Sequence, residues 1–228
     1  MAKWNKKTLS DPKTMAELVF PFVGAVMPRR FAVTNGRWQF AGREVFQTLL
    51  DDVDCMRQSE NLNALWVYGT RGYGKSHLLA ALVCYLSARG DDVVYIPDCR
   101  AFTEAPEVYL QSALLFTWTD DKTQDEIFPL TKRDDLTDFL LRRKPLFVID
   151  QTNSFVDRNN PLAHQYKQAV KQWLSLACAT SKVVYSTSAN NLSFHETAGT
   201  QNNFARRNLF GGYTQVRRTD AKAVFCYC

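Results

Sequence analysis

No apolar run in this chain approaches 18 uninterrupted residues, so nothing reads as a membrane-spanning helix. The basic opening Met1-Ala2-Lys3-Trp4-Asn5-Lys6-Lys7 has no apolar stretch behind it, which excludes a conventional secretory signal. The six cysteines, Cys55, Cys84, Cys99, Cys178, Cys226 and Cys228, lack the spacing of a disulfide framework. Cys84 and Cys178 lie in apolar helical runs, where cysteine behaves as a small buried residue. Cys226-Tyr227-Cys228 has no His/Cys pair nearby to complete a metal site. A reduced intracellular compartment is the expectation. Nor is the chain poor in apolar residues. With 46% hydrophobic and 22% charged residues it is not a disordered sequence, and 228 residues suffice for one sizeable α/β domain with a small appendage.

The net charge of +5 is concentrated at the ends. Arg206, Arg207, Arg217, Arg218 and Lys222 face only Asp220 in residues 201–228, and Lys3, Lys6, Lys7 and Lys13 face only Asp11 in residues 1–15. Such ends suit contact with nucleic acid or an acidic protein, although most basic tails are simply solvated.

What is present is centred on Leu65-Trp66-Val67-Tyr68-Gly69-Thr70-Arg71-Gly72-Tyr73-Gly74-Lys75-Ser76. Residues Gly69 to Ser76 satisfy G-x-x-x-x-G-K-[ST], the Walker A or P-loop pattern. Glycines let the backbone wrap phosphate closely and turn successive N–H groups inward. A helix beginning at the loop adds its first-turn amides and positive dipole end. Lys75 is the cation for the outer phosphates, and the Ser76 hydroxyl is a ligand for Mg²⁺. The context is right: Ala64–Tyr68 predicts a strand, and Ser76–Leu86, with His77 beside the motif, predicts a helix ending at Gly90.

The second signal is Lys144-Pro145-Leu146-Phe147-Val148-Ile149-Asp150, four apolar residues running into one acid. This is the pattern of a strand buried on both faces with a carboxylate at its end. It lies about 75 residues after Lys75 and reads as a Walker B strand, Asp150 holding Mg²⁺ directly or through water. Hydrolysing ATPases of this broad group commonly place a glutamate next, whereas this chain has Gln151. Glutamine can orient a water but cannot accept its proton as a carboxylate does. A third buried strand, residues 182–191, ends in Ser188-Ala189-Asn190-Asn191, and Ser188 and Asn190 are the candidates for a sensor 1 contact to the γ-phosphate or lytic water.

Elsewhere, Met15–Met27 is apolar and broken by Pro21 and Gly24, and packs along the domain rather than forming its own. Trp38-Gln39-Phe40-Ala41-Gly42-Arg43-Glu44 leads into a helix over 45–53. That apolar-Gly-Arg-Glu element resembles the one with which many AAA+ and STAND ATPases border the adenine pocket, which implies Gly42 and Arg43 as nucleotide-site residues. Residues 92–96 predict a strand, with Asp98 after it as either a ligand residue or a helix cap. Helices are expected over 104–118, 136–141 and 161–180, and an exposed loop over the acidic residues 120–126. Arg206-Arg207-Asn208-Leu209-Phe210-Gly211-Gly212-Tyr213-Thr214 carries arginines that could serve a neighbouring subunit, though exposed arginines are usually just solvated.

Taken together, Gly69 to Leu78, Val94-Tyr95-Ile96-Pro97-Asp98-Cys99-Arg100, Phe147-Val148-Ile149-Asp150-Gln151, Ser188-Ala189-Asn190-Asn191 and Gly211-Gly212-Tyr213-Thr214 resemble the NTPase module of Crinkler-type effectors, to which retrotransposon-hot-spot-type modules are related. The resemblance implies a three-layer α/β/α P-loop NTPase with a mainly parallel sheet of ASCE-type order, the sensor strand lying between the Walker A and Walker B strands. It implies Asp-Gln as a normal pair in this group and suggests a secreted effector acting in a host cell, while the motifs themselves point to ATP and Mg²⁺ as cofactors and a homo-oligomer is one partner to be tested. It also divides the chain into a lead-in over 1–37, the NTPase domain over 38–215 and a truncated basic tail over 216–228.

Overall fold

The computed structural model describes residues 5–22, 31–69, 72–157, 159–188 and 204–209, with backbone only for Ser188 and 204–209. The chain begins with helix α1 (Lys6–Ser10), strand β1 (Met15–Val19), strand β2 (Arg37–Ala41) and helix α2 (Glu44–Gln58). β1 and β2 pair antiparallel, from Met15 opposite Ala41 to Val19 opposite Arg37. Both alternate exposed and buried residues, as a sheet covered on one face must. Their inward residues Ala16, Leu18, Trp38 and Phe40 join the same hydrophobic cluster as the body of the molecule, with Phe20, Phe22 and Phe31. The boundary expected between residues 37 and 38 falls inside β2, so the hairpin is built from both sides of it.

The body is β3 (Ala64–Gly69), α3 (Lys75–Arg89), β4 (Val93–Ile96), α4 (Cys99–Glu104), α5 (Pro106–Thr117), α6 (Asp121–Ile127), α7 (Arg133–Arg143), β5 (Leu146–Ile149), α8 (Pro161–Ala177), β6 (Val183–Ser188) and β7 (Phe204–Leu209). The strands form one sheet in the order β4-β5-β6-β3-β7, every neighbour parallel. All four residues of β4 and all four of β5 are buried, as parallel strands covered on both faces require. The crossover from β3 to β4 runs one way along the sheet, and those from β4 to β5 and β5 to β6 run the other way. Right-handed connections therefore put α3 on one face and the helices of 99–177 on the opposite face. α3 accordingly packs on α2 and β1, while α7 packs on α8. This is the three-layer α/β/α P-loop NTPase fold, with β6 between β3 and β5 as the ASCE order requires.

Two stretches depart from the sequence reading. The acidic residues 120–126 are not a loop. Asp120 caps α6 by accepting the Thr123 N–H at 2.9 Å, Thr123 and Ile127 bury one face, and Glu126 pairs with Arg142 and Arg143 at 3.0 Å each. A cap and two buried side chains one turn apart outweigh a run of acids of which Glu126 is paired from α7. Residues 204–209, read only as part of an arginine landmark, form the strand β7 on the outer side of β3. No helix among the described residues is long and apolar enough to cross a membrane.

Candidate functional site

The site lies at the carboxyl ends of β3, β5 and β6, the edge where open parallel sheets place ligands. Gly69 ends β3, and Gly72 and Gly74 follow with φ of 83° and 81°, a conformation that side-chain-bearing residues rarely adopt. Gly74 caps α3, whose first residues are Lys75, Ser76 and His77, so their amides belong to the helix turn that points out of the sheet. Lys75 Nζ turns back to donate to the Gly69 carbonyl oxygen at 2.8 Å. Burial lowers the Lys75 pKa from its ordinary value, and the negative charge of Asp150 works against that shift.

Asp150 is 1% exposed and leaves β5 with its backbone N–H bonded to the Ile96 carbonyl at 2.9 Å. Its Oδ1 accepts the N–H of Gln151 at 2.9 Å. Gln151 itself is left-handed, φ 62° and ψ 42°, and turns the chain into a 3-10 helix over Thr152–Phe155. Thr152 Oγ1 then donates to the Ser186 carbonyl of β6 at 3.0 Å, tying the end of β5 to the neighbouring strand. Ser188 is the last residue of β6 and pairs in register with Gly69. The tip of the sensor strand thus stands beside the start of the phosphate loop. Thr70, Arg71 and Asn190 lie outside the described residues.

The remaining residues named from the sequence take the following positions. His77 packs its ring against Phe31 and Trp38, centroids 4.8 and 5.5 Å away, on the flank facing the hairpin. Asp98 is an N-cap, accepting the N–H of Arg100 at 2.9 Å. Arg206 and Arg207 lie within β7 opposite Trp66 and Val67, below the strand end at Leu209. Arg43, expected at the adenine border, puts Nη1 2.6 Å from the Tyr73 carbonyl oxygen and its guanidinium carbon 4.4 Å from the Tyr73 ring centroid. Tyr73 and Thr152 were not singled out for these roles. The one legible signal for Tyr73 was the Gly42-Arg43 element standing shortly before the loop. Burial pushes the Cys84 thiol up to about 12, in keeping with a packing role.

No family model matches the chain, and no curated protein does. Among solved structures it is similar to a DNA replication initiation factor, at 16% identity over 72% of this chain and 44% of that one, TM-score 0.40. It is similar also to Drosophila ORC bound to GC-rich DNA and Cdc6, at 13% identity over 74% and 28%, TM-score 0.43. A third, Drosophila ORC bound to DNA, is 14% identical over 74% and 29%, TM-score 0.41. The chain spans less than half the length of each of these proteins. The fold itself follows from the strand order and its connections.

Proposed function

We propose that the loop between β3 and α3 binds the phosphates of Mg·ATP and that the chain hydrolyses ATP slowly. The observation that carries this reading is that Lys75, after β3, and Asp150, after β5, follow carboxyl ends on the same edge of one parallel sheet, beside a glycine loop that opens a 15-residue helix. Lys75 and the first-turn amides of α3 would bind the phosphate oxygens. Ser76 and Asp150 fit Mg²⁺, a hard ion that takes one or two protein oxygens and fills its shell with phosphate and water. Held by these two residues, the ion would supply positive charge against that of the phosphates. Among the described residues no group of three or more His, Cys, Asp or Glu is arranged to hold a metal ion. Adenine is assigned on the resemblance to the Crinkler-type NTPase modules.

Gln151 would orient the attacking water, together with Ser188 or Asn190. It cannot take the proton, which is why slow turnover is expected. The same residue favours a second reading, a nucleotide-dependent interaction module that binds ATP without splitting it.

Phosphate release from Mg·ATP and binding of a fluorescent ATP separate these. Measured on wild type, Lys75→Ala and Gln151→Glu, they should show slow release by wild type. In Lys75→Ala both signals should fall about a hundredfold, the loss of a charged hydrogen bond in the site. Binding without release, awakened by Gln151→Glu, would make the chain a switch. Lys75→Ala binding as tightly as wild type would end the P-loop reading.

A further inference from the structure

We propose that Arg43 is a positioning residue for the phosphate loop, acting on the loop's main chain and not on the nucleotide. The consequence for ligand binding rests on the P-loop reading above.

The backbone that presents Arg43 has little freedom. Its N–H donates to the Leu9 carbonyl at 2.9 Å, and the Gly42 N–H donates to the Thr14 carbonyl at 3.0 Å. Gly42 is packed so closely on the main chain of Thr8 and Asp11 that a Cβ there would collide with both carbonyl oxygens. From this fixed base the guanidinium reaches across 30 residues of sequence to Tyr73, donating Nη1–H to its carbonyl oxygen at 2.6 Å. Its guanidinium carbon also lies over the Tyr73 ring, 4.4 Å from the centroid. Tyr73 stands between Gly72 and Gly74, the two left-handed glycines that give the loop its freedom. A cationic donor on the one non-glycine carbonyl between them, reinforced by stacking, restrains the loop where it is softest.

Preorganisation of this kind lowers the ordering cost of binding a phosphate chain, whatever base it carries. It also makes α1 and the β1–β2 hairpin part of the nucleotide site, because Arg43 is held by α1. Lysine cannot replace it, since an ammonium has neither the planar stack nor the fixed fork of donors.

The test uses the full chain as wild type, Arg43→Ala and Arg43→Lys. Amide hydrogen exchange is followed in peptides covering 72–76, with α5 and α7 as internal reference. Affinity is measured for Mg·ATP and for Mg·tripolyphosphate, which lacks base and sugar. In Arg43→Ala, exchange over 72–76 should quicken while α5 and α7 hold. Both ligands should weaken by the same factor, about ten- to a hundredfold. Arg43→Lys should recover only part of either. Unchanged exchange at 72–76 overturns the proposal. So does a loss confined to ATP, which would make Arg43 a base contact, and so does full recovery by lysine, which would make it a charge alone. A wild type that binds neither ligand refutes the P-loop reading, while the exchange arm still decides whether Arg43 holds the loop.

Discussion

Two strands deliver the candidate chemistry, and they turn out of the sheet in opposite ways. β3 ends in glycines, and the left-handed backbone at Gly72 and Gly74 is taken by residues that adopt it at little cost. β5 is followed by Asp150, and the left-handed residue there is Gln151, which carries a full side chain. At the first end conformational freedom is built in and then restrained from outside by Arg43. At the second, strain is accepted and held by local bonds, Gln151 N–H to Asp150 Oδ1 and Thr152 Oγ1 to the Ser186 carbonyl. On the proposed reading, the loop after β3 admits backbone close to a phosphate, whereas the turn after β5 keeps a carboxylate and its successor at a set angle. Non-glycine residues in this conformation gather at sites where the surrounding structure holds them.

Three substitutions or conditions would break or sharpen this contrast. Gly74→Ala should have the largest effect. It puts a side chain at φ 81° and places its Cβ 2.9 Å from Arg43 Nη1, which must swing off Tyr73. A loss of about 1–2 kcal/mol in chemical denaturation is expected, with weaker nucleotide binding. A neutral result would show that the loop has no need of glycine there. Gln151→Gly should go the other way. Relief of the left-handed strain should outweigh the added freedom of the unfolded chain and raise stability by about 0.5 kcal/mol. If it destabilises like an ordinary glycine substitution, the turn after β5 holds no strain and the contrast collapses.

The smallest effect is electrostatic. Burial holds the Lys75 pKa below 10.5 in the fold. Between its folded value and 10.5 the unfolded chain therefore binds more protons, and stability rises with pH across that window. Nucleotide affinity should fall over the same window, because phosphate binds the cationic form. Denaturation of wild type against Lys75→Met through the alkaline range checks the first, and ATP titration of wild type checks the second. A wild-type stability that falls relative to Lys75→Met would reverse the sign assigned to Lys75.

Much of the fold was legible because its signals are contiguous. The run Ala64–Tyr68, the glycine pattern and the helix to Gly90 are the elements β3 and α3, and the left-handed Gly90 closes α3 with its N–H on the Ser87 carbonyl at 3.0 Å. Leu146–Ile149 is buried throughout, and Asn160 and Pro161 open α8 as their residue types prefer. What misled was composition read without partners. The acids of 120–126 suggested a loop because Arg142 and Arg143, which meet Glu126, lie on another helix. Asp98 looked equally suited to a ligand or a cap, and the structure shows it capping α4, its Oδ1 accepting the N–H groups of Arg100 and Ala101.

The candidate site divides in the same way. The sequence alone determined the glycine loop between a strand and a helix, the acid after a buried strand and the glutamine after it, because each is a property of neighbouring residues and their backbone preferences. Tertiary structure decided which strands stand beside the loop, that His77 faces Phe31 and Trp38, and that Arg43 holds Tyr73. These are contacts between segments brought together by sheet pairing and burial, and no short-range preference of either partner encodes them.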